Sequence, residues 1–185
     1  MFQPDMRKGK AMRRVRYSVA MSLDGYIAGP KGESDWIVMD PEVDFGALMG
    51  SFDTILMGRK TYEASRKMGG GGMPGMAAFV FSRTLKASDV KGAALSDDPK
   101  ATIAEIKSKP GKDIWLFGGG GLFRSLLDLR LVDSVEVAVI SVLLGKGRPL
   151  LPGADERRAL KLETHRVYAK TGTVSLEYSL RMEHA

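Results

Sequence analysis

A chain of 185 residues, 44% hydrophobic and 27% charged, has the size and make-up of one compact domain. It has no cysteine, which excludes disulfides, a thiolate nucleophile and cysteine-based metal sites, and His165 and His184 are too isolated to suggest a metal centre. The net charge of +6 gathers at the start, where Arg7, Lys8, Lys10, Arg13, Arg14 and Arg16 face only Asp5; the remainder is near neutral and carries no aromatic-studded basic surface for nucleic acid.

Residues 1–12 read as a flexible basic tail, followed by a single domain over 13–185. Arg16 interrupts the first apolar segment and no small-residue cleavage site follows, so the expected location is cytoplasmic. No apolar run reaches the length of a membrane span. Arg14–Ser22 alternates like a first strand, and Gly29-Pro30-Lys31-Gly32 is a turn. The next segment, Pro41–Met49, reads as a helix with Asp40 as N-cap and Pro41 at its first position. Thr54–Met57 is a short buried strand stopping at Gly58, and Lys60–Lys67 is helical. A loop over Gly69–Gly72 and Pro74-Gly75 leads to strands at Ala77–Phe81 and Ala93–Leu95. Asp98 caps a helix over Pro99–Ser108.

The most informative stretch follows. Asp113–Phe117 is a strand that runs straight into Gly118, Gly119, Gly120 and Gly121, and then into a helical stripe of Leu122, Phe123, Leu126, Leu127 and Leu129. Unpaired N–H groups at a helix start, with no Cβ in the way, suit a phosphate. A tight turn needs one glycine; four in succession favour a ligand. This is not the dinucleotide fingerprint of the Rossmann fold, because Phe123 stands where the third glycine belongs. Nor is Gly145-Lys146-Gly147 a Walker loop, since no Ser or Thr follows the lysine.

Ser134–Val142 is a further strand, and Leu160–Ala169 with Val174–Arg181 forms a closing hairpin around Lys170-Thr171-Gly172. The sum is an α/β fold, a three-layer α/β/α domain on a mixed, mostly parallel sheet of about eight strands with a C-terminal antiparallel hairpin. Three strands end in small, hydroxylated or basic residues: Gly58-Arg59-Lys60-Thr61, Ser82-Arg83-Thr84, and the glycine run. Strand carboxyl ends are where such sheets bind ligands, and these three together suit a bis-phosphorylated one.

The motifs Met21-Ser22-Leu23-Asp24-Gly25-Tyr26-Ile27-Ala28, Leu56–Glu63, Phe79–Thr84, Ile114–Gly121 and Val142–Leu150, in this order over residues 14–181, resemble the dihydrofolate reductase superfamily. The closer resemblance is to its branch containing the C-terminal reductase domain of the bifunctional riboflavin biosynthesis deaminase-reductase. The resemblance implies NADPH as cofactor and hydride transfer to a pyrimidine- or pteridine-like small molecule, as in 5-amino-6-(5-phosphoribosylamino)uracil reductase. A true dihydrofolate reductase and an NADPH-binding protein without activity are the alternatives. Carried over, Ala20 and Ile27 border the nicotinamide. Gly58, Arg59, Thr61, Ser82, Arg83 and Thr84 hold the phosphates, with Gly118, Gly119, Gly120, Gly121 and Leu122 along the pyrophosphate.

Reduction of a C=N bond needs a proton as well as a hydride, so a carboxyl group near the ring is expected. Asp40 and Asp44 are the candidates, with Glu42 between them; Asp35, Trp36 and Phe45 are read as substrate-binding. Met76 falls where folate enzymes carry an arginine for the glutamate tail, and Val139 falls near a threonine that orients the carboxylate. Pro41–Met49 lacks the arginines that serve a ribose-phosphate in the riboflavin enzymes. The resemblance also implies a homodimer, for which the apolar run Val135–Leu144 is long enough to serve both core and interface. No metal, nucleic acid or membrane partner is expected.

Overall fold

A computed structural model of the chain describes residues 12–67, 69–153 and 155–180. The elements run β1 (Val15–Ser22), β2 (Tyr26–Ala28), α1 (Phe45–Gly50), β3 (Phe52–Gly58), α2 (Arg59–Lys67), β4 (Ala77–Phe81) and β5 (Ala94–Ser96). Then come α3 (Pro99–Ser108), β6 (Asp113–Gly118), α4 (Gly120–Asp128), β7 (Ser134–Ile140), β8 (Arg148–Pro149), β9 (Leu160–Tyr168) and β10 (Thr173–Leu180). Eight strands form one sheet in the order β5-β4-β3-β6-β1-β7-β10-β9, and β2 pairs with β8 apart from it. Every pairing in the large sheet is parallel except those of β10, which runs against both β7 and β9.

Strand period puts alternate residues on opposite faces, and each face has its own apolar cluster. Val15, Tyr17, Ile114 and Leu116 pack under α3 and α4 against Ile103, Ile106, Phe123 and Leu126. On the other face Phe52, Ile55, Met57 and Trp115 meet Tyr62 of α2 and, from α1, Leu48 and Met49. Strands covered on both faces read as unbroken apolar runs, which is why Ile55–Met57 shows no alternation. The expected three layers, mixed sheet and closing hairpin are therefore present.

Two local expectations change. The helix expected over Pro41–Met49 begins only at Phe45. Asp44 is its N-cap, accepting the Ala47 N–H at 2.8 Å. Asp40 instead closes a single turn, its carbonyl accepting the Val43 N–H at 3.0 Å, and its side chain is drawn away to the far hairpin. The pair Asp40-Pro41 mimicked a helix start because an Asx turn and an N-cap use the same residues.

The expected basic tail falls on residues outside the described ones save for Met12, as does His184. The other three cations of that cluster belong to the fold. Arg13 is buried, pairs with Asp53, and donates to the Lys112 carbonyl at 2.7 Å and the Ile106 carbonyl at 3.1 Å. Arg14 pairs with Asp113 at 3.2 Å. Arg16 grips both oxygens of Glu136 at 2.6 and 2.8 Å, its guanidinium 4.6 Å from the Phe52 ring centre. The second change concerns Val135–Leu144. β7 lies inside the sheet, and Val135, Val137 and Ile140 are buried within the chain itself.

Candidate active site

β4, β3 and β6 are neighbours and parallel, so their carboxyl ends form one row; Gly58 lies opposite Phe81, and Met57 opposite Gly118. The three segments leaving that row are the ones the sequence singled out. They line one end of a continuous cleft of about 2070 Å³ that extends across the sheet to the β9–β10 hairpin.

Each of the four glycines has its own reason. Gly118 has φ +113°, a region open to glycine and strained for other residues. A Cβ on Gly120 would lie 2.7 Å from the Pro149 carbonyl oxygen and 2.8 Å from that of Leu150. Neither reason applies to the other two. A Cβ on Gly119 would meet only Thr61 Oγ1 at 3.6 Å and Ile27 Cδ1 at 4.0 Å, and one on Gly121 would meet nothing within 4 Å. Gly119 caps α4 without a side chain, its carbonyl accepting the Leu122 and Phe123 N–H groups at 2.9 and 3.1 Å. The first N–H groups of α4 are left with no intrahelical acceptor and with the positive end of the helix dipole behind them.

After β4, Ser82 Oγ accepts the N–H groups of Thr84 and Leu85, each at 3.1 Å, folding the turn so that Arg83 projects. Arg83 and Lys60 form no ion pair among the described residues, and Arg59 reaches Glu63 only at 3.9 Å. Ala20, Ile27, Gly58, Arg59, Thr61, Ser82, Arg83, Thr84, Gly119, Gly120, Gly121 and Leu122 all line the cleft, while Gly118 lies behind it. This donor set fits a bis-phosphorylated ligand: three cations, hydroxyls, helix N–H groups and two glycines at which an added Cβ would meet no backbone atom among the described residues.

Ile27 is held over this end by a brace. The Asp24 carboxylate accepts the Ser22 hydroxyl at 2.6 Å, the Gly145 N–H at 2.7 Å and the Leu144 N–H at 3.1 Å. Those bonds, the Ser22 hydroxyl foremost, hold its pKa below the usual carboxylate range. The Leu150 N–H then donates to the Gly25 carbonyl at 2.9 Å, tying β2 to the segment that packs on Gly120.

The other end of the cleft is different. Asp40, only 3% exposed, accepts the Glu42 N–H at 2.9 Å on one oxygen. Its other oxygen accepts the Thr171 hydroxyl at 2.9 Å and the Thr171 N–H at 3.2 Å. Led by the Glu42 N–H, these bonds lower its pKa against the opposing effect of burial, so the group is ionised at neutral pH. Asp44 also lines the cleft but is exposed and engaged as the α1 cap. Glu42 lies 3.6 Å from both Arg166 and Lys170. Phe45 lines the cleft with Val38, Met39, Val43, Leu48 and Met49. Asp35 and Trp36 lie outside the lining, and the Trp36 indole donates to the Glu33 carbonyl at 3.2 Å. Met76 packs into the apolar cluster beside β3 and β4, and Val139, paired with Met21 and Val174, sits on the opposite face of the sheet.

Sequence reasoning missed Thr171, Val38, Met39 and Val43. Thr171 is 131 residues from Asp40, and nothing local signals the pairing. Val38 and Met39 carried a signal that went unread: they end the apolar run Trp36-Ile37-Val38-Met39, bounded by Asp35 and Asp40 outside any helix or strand.

Comparison with known proteins agrees with this geometry. The RibD C-terminal domain family matches residues 13–174. The uncharacterized protein YyaP of Bacillus subtilis (strain 168) is 32% identical over 94% of this chain and 98% of its own length. Among solved structures, a Shewanella sp. PV-4 protein attributed to riboflavin biosynthesis superposes with a TM-score of 0.77 at 25% identity, covering 92% of this chain and all of its own (100%). The dihydrofolate reductase of Enterococcus faecalis, in complex with NADP(H) and RAB-propyl, gives a TM-score of 0.64 at 18% identity over 91% of this chain and 97% of its own, a likeness of fold. The chain belongs to the RibD C-terminal domain family, built on the dihydrofolate reductase fold.

Proposed function

We propose that the protein is an NADPH-dependent reductase of a pyrimidine- or pteridine-like small molecule. One observation carries the reading: the α4 N-terminus, Thr61 and the Ser82-Arg83-Thr84 turn converge at the carboxyl ends of three adjacent parallel strands. The Enterococcus faecalis reductase with the same fold is in complex with NADP(H), which supports the choice of cofactor. NADPH supplies the hydride when bound. Arg59, Arg83, Ser82 and Thr84 hold its phosphates, with Gly119 and the α4 N–H groups along the pyrophosphate. Ala20 and Ile27 form the apolar border that keeps water from the ring.

Asp40 does not serve as the acid, because a carboxylate held ionised has no proton to give at neutral pH. It works as a fixed acceptor. Of the roughly four acceptor positions on an ionised carboxylate, Glu42 and Thr171 take three, leaving one for a ring N–H or for the water that protonates the ring nitrogen. Asp44 fixes the start of α1 and thereby the position of Phe45.

The reading includes a homodimer. β9 is exposed along its length apart from Tyr168, with Leu160, Leu162 and Val167 at 39%, 47% and 63% exposure. Together with Tyr178 and Leu176 beside them, these residues make an apolar sheet face that a second copy would cover.

The test is calorimetric titration of the protein and of Gly119→Val with NADPH. Wild type is expected to bind, and the variant to fold and fail to bind, since its branched side chain fills space that only Thr61 and Ile27 border. Absence of saturable NADPH binding to the wild type would end the reading.

A further inference from the structure

The two ends of the cleft carry opposite charge. The cofactor end presents Arg59, Lys60 and Arg83. The wall of the other end is built from Ser34–Gly50, a segment with no lysine, arginine or histidine; of its four carboxylates Asp40 and Asp44 line the cleft, while Asp35 and Glu42 lie outside the lining. The cations of the facing hairpin, Arg166 and Lys170, are already engaged with Glu42, and Arg166 also stacks on Tyr168 at 4.7 Å. Arg16, further along the same lining, is only 12% exposed and is bound to Glu136.

Within this acidic wall, Val38, Met39 and Phe45 all line the cleft, and they are 56%, 53% and 47% exposed. Water-facing apolar side chains clustered beside a cleft mark the place where an apolar group lands. Asp40, the one carboxylate buried among the described residues, lines the same cleft with a single open acceptor position. The wall therefore offers one buried polar anchor and exposed apolar side chains, and no cation of its own; Arg148 and Arg166, which also line the cleft, lie on β8 and β9.

We propose that the substrate is a nitrogen heterocycle bearing an apolar substituent and no phosphate or carboxylate. Its ring N–H meets Asp40, and the substituent lies on Val38, Met39 and Phe45. The inference rests on the reductase reading above and narrows it. An anionic tail would lose its water shell against apolar carbon and lie near the like charges of Asp40 and Asp44; a fully apolar tail gains by covering the same surface.

Two probes separate these outcomes: a diaminopyrimidine bearing a phenyl group, and the same compound with a carboxylate on that phenyl. Both are titrated by calorimetry against the full-length protein, with and without NADPH, and NADPH is titrated separately. The neutral probe is expected to bind about tenfold or more tightly than the acid. Met39→Arg is expected to reduce or reverse the ratio, with Val38→Arg as the second variant should the first fail to fold. Equal or tighter binding of the acid by the wild type overturns the proposal, as does an unchanged ratio in the folded variant or binding of neither probe. Because preference is also read without NADPH, loss of cofactor binding would refute the reductase reading separately from this one.

Discussion

Gly120 and Gly121 are neighbours in the first turn of α4, yet the structure gives their replacement by alanine opposite signs. At Gly120 the added methyl would sit 2.7 Å from one backbone oxygen, 2.8 Å from another and 2.9 Å from Pro152 Cδ. None of these is the loose end of a flexible chain, so α4 or the Pro149–Pro152 segment must move. Overpacking of this kind costs about 1–3 kcal/mol. At this chain length each kcal/mol lowers the melting temperature by about 2–4 °C, so Gly120→Ala should melt roughly 2–12 °C below wild type. At Gly121 the methyl meets nothing within 4 Å and replaces the worse helix former, a gain of about 0.5 kcal/mol. Scanning calorimetry on the three proteins, with urea titration as a second measure, decides it. A Gly120→Ala protein as stable as wild type would refute the packing account of the glycine run.

Other expectations follow from the same geometry. Arg83→Ala should weaken NADPH by roughly tenfold to a hundredfold and NADH much less, read as the ratio of their Michaelis constants; equal losses would show that Arg83 does not meet the additional phosphate. The Tyr17 hydroxyl is buried without a hydrogen-bond partner among the described residues, so Tyr17→Phe should raise stability by about 1–3 kcal/mol in urea titration, and a loss would reveal a hidden partner. Asp40 has a lowered folded pKa, so its contribution is present above the unfolded value of about 3.9 and fades as pH falls through the folded one; the stability gap between wild type and Asp40→Asn should therefore shrink on acidification below about pH 4. Sedimentation should find a species of twice the 20.1 kDa chain mass at micromolar concentration, and Leu162→Lys should halve it; a wild-type monomer would remove the dimer from the reading.

The sheet and the segments that leave its strand ends into the cleft were legible because their signals are local. A strand stopping at glycine, an Asp98-Pro99 helix start and a polar turn after Phe81 each announce themselves within a few residues. The other end of the cleft was not legible for the converse reason. Two of the three hydrogen bonds that Asp40 accepts come from Thr171, whose position depends on the whole sheet having formed. Sequence reading assigned Asp40 the nearest local role, that of a cap, which Asp44 in fact fills. Arg13 shows the same effect from the other side. Nothing local in that run of basic residues marks it as internal, but Asp53, Thr54 and the Lys112 carbonyl make it an internal crosslink.

The central strand is also the first to be synthesised. β1 finds its neighbours only in β6 and β7, with Val15 opposite Ile114 and Arg16 opposite Ser134. At a translation rate of about 5–20 residues per second, Val15, Tyr17, Val19 and Met21 therefore wait roughly 5–20 s for a partner strand. During that interval an apolar edge is open to other nascent chains. Yield in the cell should accordingly depend on holding factors and on growth temperature more than on the stability of the finished protein. The delay is written into the strand order, so no surface substitution shortens it; a circular permutant in which β6 precedes β1 would.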